Sequence, residues 1–337
     1  MYSRLLQSRD FGAPLALISN YRYPMGPGAQ EIGHRLTIRL NEPEGGFKDI
    51  MGILESETTL RKKDGSLVQF QPSEVAIWRK ITPPKERAGH GAPLSLRIRD
   101  METAANATWP AKEIQQIGHW LLRASGKFTM RANSVLPLGT PPYGDPGMEI
   151  HEAISMVTDF YKQHKLPAIF HIPLPTYFPL DDLLHEAGWI EKITAQVMVG
   201  DIGPVNISTN PLGTWEFADS PTDEWLSVQS DHEVAEIMKS APATYAALRV
   251  EGEMVAVGRG APYEKWSVLS RLYVKPDYRR QGIAQELIYA LLAVAKNQGA
   301  TKSLLQVDEK NHSAIDLYTK IGFFHHHSYT YRVLAED

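Results

Sequence analysis

Between residues 32 and 81 the chain alternates apolar and polar positions with a period of two. Arg35-Leu36-Thr37-Ile38-Arg39-Leu40 is the clearest run. Side chains of a strand point alternately to opposite faces, so this pattern predicts half-buried β-strands. Similar runs follow at 47–54, 58–61, 67–70 and 75–78, with Lys63-Asp64-Gly65-Ser66 as a hairpin turn. Five short strands in so short a span predict a small all-β SH3-like barrel over residues 32–81. Such a module has the plain role of packing or dimerisation, and a homodimer is one arrangement it allows. Before it, Pro24, Gly26, Pro27 and Gly28 break any helix, which leaves 1–31 as an irregular N-terminal arm. After it, residues 82–95 are rich in Pro and Gly and read as a linker.

Past residue 96 the period lengthens. Ile114, Ile117, Trp120 and Leu121 recur at helical spacing and predict a helix over 109–122. Ile154, Val157, Phe160 and Tyr161 predict a second over 150–164, and a third over 180–187 stops at Gly188. Strands are expected at 128–136, 168–172 and 196–199. Residues 203–214 read as a connection. A helix over 224–238 follows, then a hairpin of 244–249 with 254–259 about Glu251-Gly252. Strand 269–274, a helix carrying Leu287, Ile288, Leu291, Leu292 and Ala295 on one stripe, strand 303–307 and strand 329–334 complete the chain. The fold class is α/β, with a mixed sheet.

Composition narrows the function. A chain of 337 residues has room for two or three domains. A net charge of −4 leaves no overall basic field, which argues against general nucleic-acid binding. The sequence holds no cysteine, so disulfides, thiolate nucleophiles and cysteine-based zinc sites are excluded, and a cytoplasmic location is expected. No apolar run approaches the roughly 18–20 residues that span a bilayer, and residues 1–24 carry no signal-peptide pattern.

Candidate chemistry sits between residues 272 and 323. Strand 269–274 runs through Lys275-Pro276-Asp277-Tyr278 into Arg279-Arg280-Gln281-Gly282-Ile283-Ala284 and then straight into a helix. Strand, glycine loop and helix start together make an anion site, because first-turn N–H groups point out of the helix end and the dipole favours negative charge there. Gly282 allows close approach of the backbone, and Arg279 and Arg280 add charge.

These residues, with Asn311, Ala314, Leu317, Tyr318, Gly322 and Phe323 beyond them, resemble the two acetyl-CoA motifs of the GNAT superfamily of N-acyltransferases. The resemblance implies a GNAT fold and acetyl-CoA as cosubstrate. Its pyrophosphate would lie on the backbone amides of Gln281, Gly282, Ile283 and Ala284, with Arg279 and Arg280 as cofactor-binding charges beside it. Its pantetheine would run beside Leu272, Tyr273 and Val274, between strands that splay, and would touch Asn311. Tyr318 stands where the family places its general acid. The carboxylate that many members carry on the strand before the loop is missing. Glu264, Asp308 and Glu309 are substitutes for that base, beside a water-mediated route.

A shift of about 135 residues lays an earlier segment over this one. Tyr143 to Glu149 falls on Tyr278 to Ala284, and Asp182 to Trp189 falls on Asp316 to Phe323. Two tandem GNAT-like units are therefore expected, 96–202 and 203–337. The first carries Gly144, Asp145, Pro146 and Glu149 at the anion loop and Leu184 opposite Tyr318, so it should not bind CoA and would instead wall an acceptor pocket. His325-His326-His327 is not read as a metal site, because strand neighbours face opposite ways; at most His325 and His327 share a side. No metal is expected.

The expected function is N-acetyl transfer from acetyl-CoA to a primary amine, on a small molecule or on a protein lysine or N-terminus. The alternative is an acyl-CoA-binding regulatory protein without turnover.

Overall fold

The computed structural model describes residues 26–81, 87–126, 128–203, 213–230 and 232–335. Most of the expected N-terminal arm and of the 203–214 connection lies outside these residues. The chain divides into two compact units, Met1–Lys85 and Glu86–Asp337.

In the first unit, β1 (Arg35–Asn41), β2 (Phe47–Ser56), β3 (Thr59–Arg61), β4 (Leu67–Gln69) and β5 (Val75–Lys80) form one antiparallel sheet in the order β4-β3-β2-β1-β5. Alternation places Leu36, Ile38 and Leu40 of β1 in a core with Ile50, Leu54 and Trp78. The Asp-Gly turn forms as expected, with Gly65 at φ +84° and the Asp64 carboxylate accepting from Ser66 N at 3.0 Å. β4 and β5 are the sheet edges, and among the described residues no strand ladder closes the expected barrel.

The second unit is built on one sheet of eleven strands. Its first half holds α1 (Leu94–Ala107), β6 (Glu113–Ile117), β7 (Trp120–Ala124), β8 (Val135–Pro137), α2 (Ile150–Gln163), β9 (Ile169–Leu174), α3 (Phe178–Glu186) and β10 (Ile190–Asp201). Its second half holds β11 (Thr214–Ala218), α4 (Asp223–Gln229), α5 (Ala235–Lys239), β12 (Thr244–Val250), β13 (Glu253–Tyr263), β14 (Trp266–Val274), α6 (Ile283–Asn297), β15 (Lys302–Asp308), α7 (His312–Lys320) and β16 (Phe324–Val333). The order is β11-β12-β13-β14-β15-β10-β16-β9-β8-β7-β6. Among the described residues, only β8–β9 and β14–β15 pair in parallel, each across its own helical crossover.

The halves repeat. Helix α3 and helix α7 have the same length, 134 residues apart, and end on the same turn. Trp189 N donates to Leu184 O and Phe323 N to Tyr318 O, both at 2.9 Å, across left-handed Gly188 and Gly322. The halves also exchange their last strands: β10 enters the second half between β15 and β16, while β16 enters the first between β10 and β9. A ladder threaded this way joins the halves in a single body.

Several local expectations fail. Residues 113–117 and 120–124 are a hairpin, not part of a helix over 109–122. Gly118 and His119 form its two-residue turn; Gly118 has φ +50°, and a Cβ there would meet the Pro146 carbonyl carbon at 2.2 Å. The helical spacing was coincidental, since Ile114 is 49% exposed while Ile117 is buried. The helix lies earlier: α1 begins at Leu94, within the expected linker, and buries Ile98, Met101 and Ala105. The strand expected at 128–136 is only Val135–Pro137. Ser230 adopts φ +57° and divides the helix expected over 224–238 into α4 and α5.

Candidate functional site

Helix α6 presents the anion loop. Gly282 is its N-cap at φ +83°, and nothing stands within 4 Å of where a Cβ would be. Its carbonyl accepts from Gln285 N at 3.0 Å and Glu286 N at 3.1 Å, so the helix starts cleanly and the amides of Ile283 and Ala284 have no intrahelical acceptor. Arg280 also takes a left-handed conformation, φ +64°, and its side chain is exposed. Arg279 is tied back instead: its Nε donates to Val274 O at 2.9 Å, and its guanidinium lies 5.5 Å from the Tyr273 ring centroid. One arginine thus braces the loop while the other faces solvent beside it. Gln281 and Gly282 are exposed at the same end.

Beside this loop the sheet opens. β14 and β15 pair only from Trp266–Lys302 to Leu269–Leu305. Beyond Leu269, β14 carries a bulge: Val257 faces Tyr273 and Arg259 faces Ser270, so Arg271 and Leu272 together face Gly258. Arg271 holds φ +55°, a strained conformation for a side-chain-bearing residue. The bulge turns β14 away from β15, as the resemblance implied.

A cavity of ≈ 310 Å³ occupies the opening. Leu269, Ser270 and Arg271 of β14 and Gln306 of β15 form one wall. Trp109, the 129–131 segment and Tyr331 form the other. Both halves therefore build it. Four buried polar atoms of its lining are unsatisfied: Trp109 Nε1, Ser270 Oγ, Gln306 Oε1 and Gln306 Nε2 have no hydrogen-bond partner. Buried polar groups are seldom left so without a ligand or solvent to meet them. Trp109 is 4% exposed, with the guanidinium of Arg131 5.7 Å from its ring centroid and that of buried Arg259 at 5.6 Å. Arg259 donates to Thr108 O and Met238 O, which fixes the Trp109 wall. Burial and the nearby Arg131 charge pull the Arg271 pKa down to about 10. Among the described residues, no carboxylate lines the cavity.

Helix α7 carries the second motif. Asn311 is its N-cap, with Oδ1 accepting from Ala314 N at 3.3 Å. Tyr318 is partly buried against the core of α6, and burial pushes its phenol up to about 12, so it stays protonated at neutral pH. It does not line the cavity. Of the substitute bases, Glu264 sits in the β13–β14 turn at φ +50°, Asp308 caps Lys310 N at 2.8 Å, and Glu309 is exposed. None borders the cavity.

Behind the cavity lies a buried polar cluster with no warning in the sequence. Glu102 of α1 is 1% exposed. Its Oε1 lies 2.9 Å from His327 Nε2, and its Oε2 3.2 Å from His171 Nε2. Burial opposes its charge, yet the two imidazoles hold its carboxyl below the ordinary range. His171 is shifted down, chiefly by burial. An ionised Glu102 fixes the tautomers: His327 donates from Nε2, so its Nδ1 accepts from His326 Nδ1 at 2.9 Å. Arg97 Nη1 donates in turn to His326 Nε2 at 3.1 Å. The expectation that His325 and His327 share a side is not met. The register slips between Val197–His327 and Met198–His325, and this bulge leaves His325 exposed and His327 2% exposed. Among the described residues no three histidines or acids converge as a metal site.

The corresponding loop of the first half is closed. The N-cap of α2 is Glu149, and its carboxylate accepts from His151 N at 2.9 Å and Glu152 N at 3.0 Å. Those hydrogen bonds hold its pKa low. By helix starts, Glu149 corresponds to Gly282, two residues from the register read in the sequence. The chain fills its own anion position here. Gly144 is packed so closely that a Cβ would meet Pro137 Cβ at 2.5 Å.

Residues 96–332 match the family described as "Probable histone acetyltransferase Rv0428c C-terminal". The chain belongs to this family and is an N-acyltransferase with the GNAT fold. Similar proteins include the "Uncharacterized N-acetyltransferase YobR" of Bacillus subtilis (strain 168), 29% identical over 249 residues, 70% of this chain and 98% of that one. "Probable histone acetyltransferase Rv0428c" of Mycobacterium tuberculosis is 27% identical over 317 residues, 88% of this chain and 93% of that one. In structure, the chain is similar to a GCN5-related N-acetyltransferase from Kribbella flavida, with TM-score 0.53 and 14% identity, covering 71% of this chain and 96% of that one.

Proposed function

We propose that the donor is acetyl-CoA, that it binds only in the second half, and that the acceptor is a primary amine. The observation that carries this reading is the open start of α6, left-handed Gly282 with empty space beside it, next to the gap between β14 and β15. The pyrophosphate would rest on the amides from Gln281 through Ala284, with Arg280 beside it. The pantetheine would lie along Leu272, Tyr273 and Val274 in the gap and reach Asn311. On this reading the chain comprises an arm (1–31), an SH3-like module (32–81), a linker (82–95), a degenerate unit (96–202) and a catalytic unit (203–337), in the cytoplasm.

The acceptor nitrogen, once deprotonated, attacks the thioester carbonyl. The C–N bond forms as the C–S bond breaks, and the leaving thiolate takes a proton from Tyr318. A cavity without a carboxylate favours water as the route for the ammonium proton. The same lack motivates the second reading, a protein that binds acyl-CoA without turnover. Thiol release from acetyl-CoA, followed with a panel of primary amines, tests both. Amine-dependent release supports the transferase; saturable CoA binding with no amine-dependent release supports the binding protein.

A further inference from the structure

We propose that the acceptor carries an anionic group, a carboxylate or phosphate, as well as its amine, and that Arg131 binds that group in the cavity between the halves. The inference rests on the transferase reading and narrows its substrate.

Arg131 comes from the first half, on the wall opposite β14. Its guanidinium hydrogen-bonds with Tyr329 and lies 5.7 Å from the Trp109 ring centroid, and among the described residues no carboxylate lines the cavity to neutralise it. Trp109 is more than nine-tenths buried, lines the same cavity, and its indole Nε1–H has no acceptor. A guanidinium and an indole N–H are both donors only. Gln306, with both side-chain polar atoms unsatisfied, adds a neutral donor and acceptor across the cavity. A second guanidinium, Arg271, stands in the opposite wall. Two guanidinium charges in the lining repel a simple alkylammonium, and the Trp109 and Gln306 donors are left without acceptors. A bound oxyanion satisfies them and offsets the positive potential, and guanidinium is the side chain best shaped for it. The volume, ≈ 310 Å³, is at the lower end of the small-ligand range of about 300–1,000 Å³ and suits an amino acid-sized molecule.

Paired acceptors that differ only in the anion test the idea: L-lysine with L-lysinamide, 5-aminopentanoate with pentylamine, and 3-aminopropylphosphonate with propylamine. Calorimetric binding to the full chain saturated with CoA is read alongside thiol release, so absence of turnover counts against the transferase reading and not against this one. The anion-bearing member of at least one pair should bind about 30-fold or more tightly, as expected for a desolvated charge pair. The carboxylate and phosphonate pairs show which oxyanion is preferred. Arg131→Gln should raise KM and Kd for that member, leave kcat and CoA affinity near wild type, and erase the preference. Equal binding within all three pairs, tighter binding of the amide or alkylamine, or a preference that survives Arg131→Gln overturns the proposal.

Discussion

The two halves of the large unit share a fold and differ in who supplies the charge at one helix start. At α2 the chain supplies it, because the Glu149 carboxylate already accepts from the two amides that an anion would use. At α6 glycine holds the corresponding place and leaves those amides without a side-chain acceptor. The flanking residues follow the same division. Leu184, fully buried and inert, stands where the second half has Tyr318. The helix capping shared by α3 and α7 shows that the scaffold is retained where the chemistry is not. The first half contributes to the cavity all the same, since Trp109 and Arg131 wall it from that side.

The largest expected effect breaks the symmetry at the acid. Tyr318→Phe should lower kcat by about 10²- to 10⁴-fold, the usual contribution of a positioned general acid, with acetyl-CoA affinity unchanged. Leu184→Met, at the matching place, should leave kcat unchanged. Single-turnover acetyl transfer measures both, and a Tyr318→Phe protein with wild-type kcat removes the acid from Tyr318.

Next comes the anion loop. Arg280→Glu should weaken acetyl-CoA binding by about tenfold or more, since it reverses an exposed charge beside the phosphates, and raising salt should narrow the gap. Glu149→Gln should leave that affinity untouched and lower the melting temperature modestly, because it weakens only a helix cap. If Glu149→Gln changed CoA affinity while Arg280→Glu did not, the functional half would be the wrong one. Calorimetric titration with acetyl-CoA decides.

Much of this comparison was legible in the sequence. The loop from Arg279 to Ala284 and the motif from Asn311 to Phe323 are local, and local geometry follows from local residues such as Gly282 and Gly322. The repeat was legible because α3 and α7 end on the same turn. The cavity was not. Trp109 and Arg131 lie over a hundred residues from Ser270 and Gln306, and only the exchange of β10 and β16 brings them together. The period was misleading at 109–122, where Gly118 and the backbone of Pro146 overrode helical spacing. The partners of Glu102 were hidden for the same reason: His171 and His327 reach it from strands of different halves.

The smallest effect concerns that shared cluster and asks whether it ties the halves together. Burial lowers the pKa of His171 from its ordinary 6.5, and lowers that of His326 from 6.5 to about 4. A histidine whose folded pKa is depressed stays neutral in the folded state while the unfolded chain takes up its proton. Stability is therefore full above about 6.5 and falls as pH drops below it. Glu102, also depressed, adds a loss of the same sign below its ordinary 4.5. The melting temperature of the large unit should thus fall steadily from pH 6.5 toward 4. His326→Asn keeps an N–H for His327 but cannot titrate, so it should flatten the upper part of that fall while leaving the pH 8 value near wild type. Differential scanning calorimetry across the range reads it. An unchanged slope in the variant would take His326 out of the linkage and leave the acid response to Glu102, His171 and His325, whose pKa burial also lowers. A flattened slope places the response on β16, the strand that the second half lends to the first.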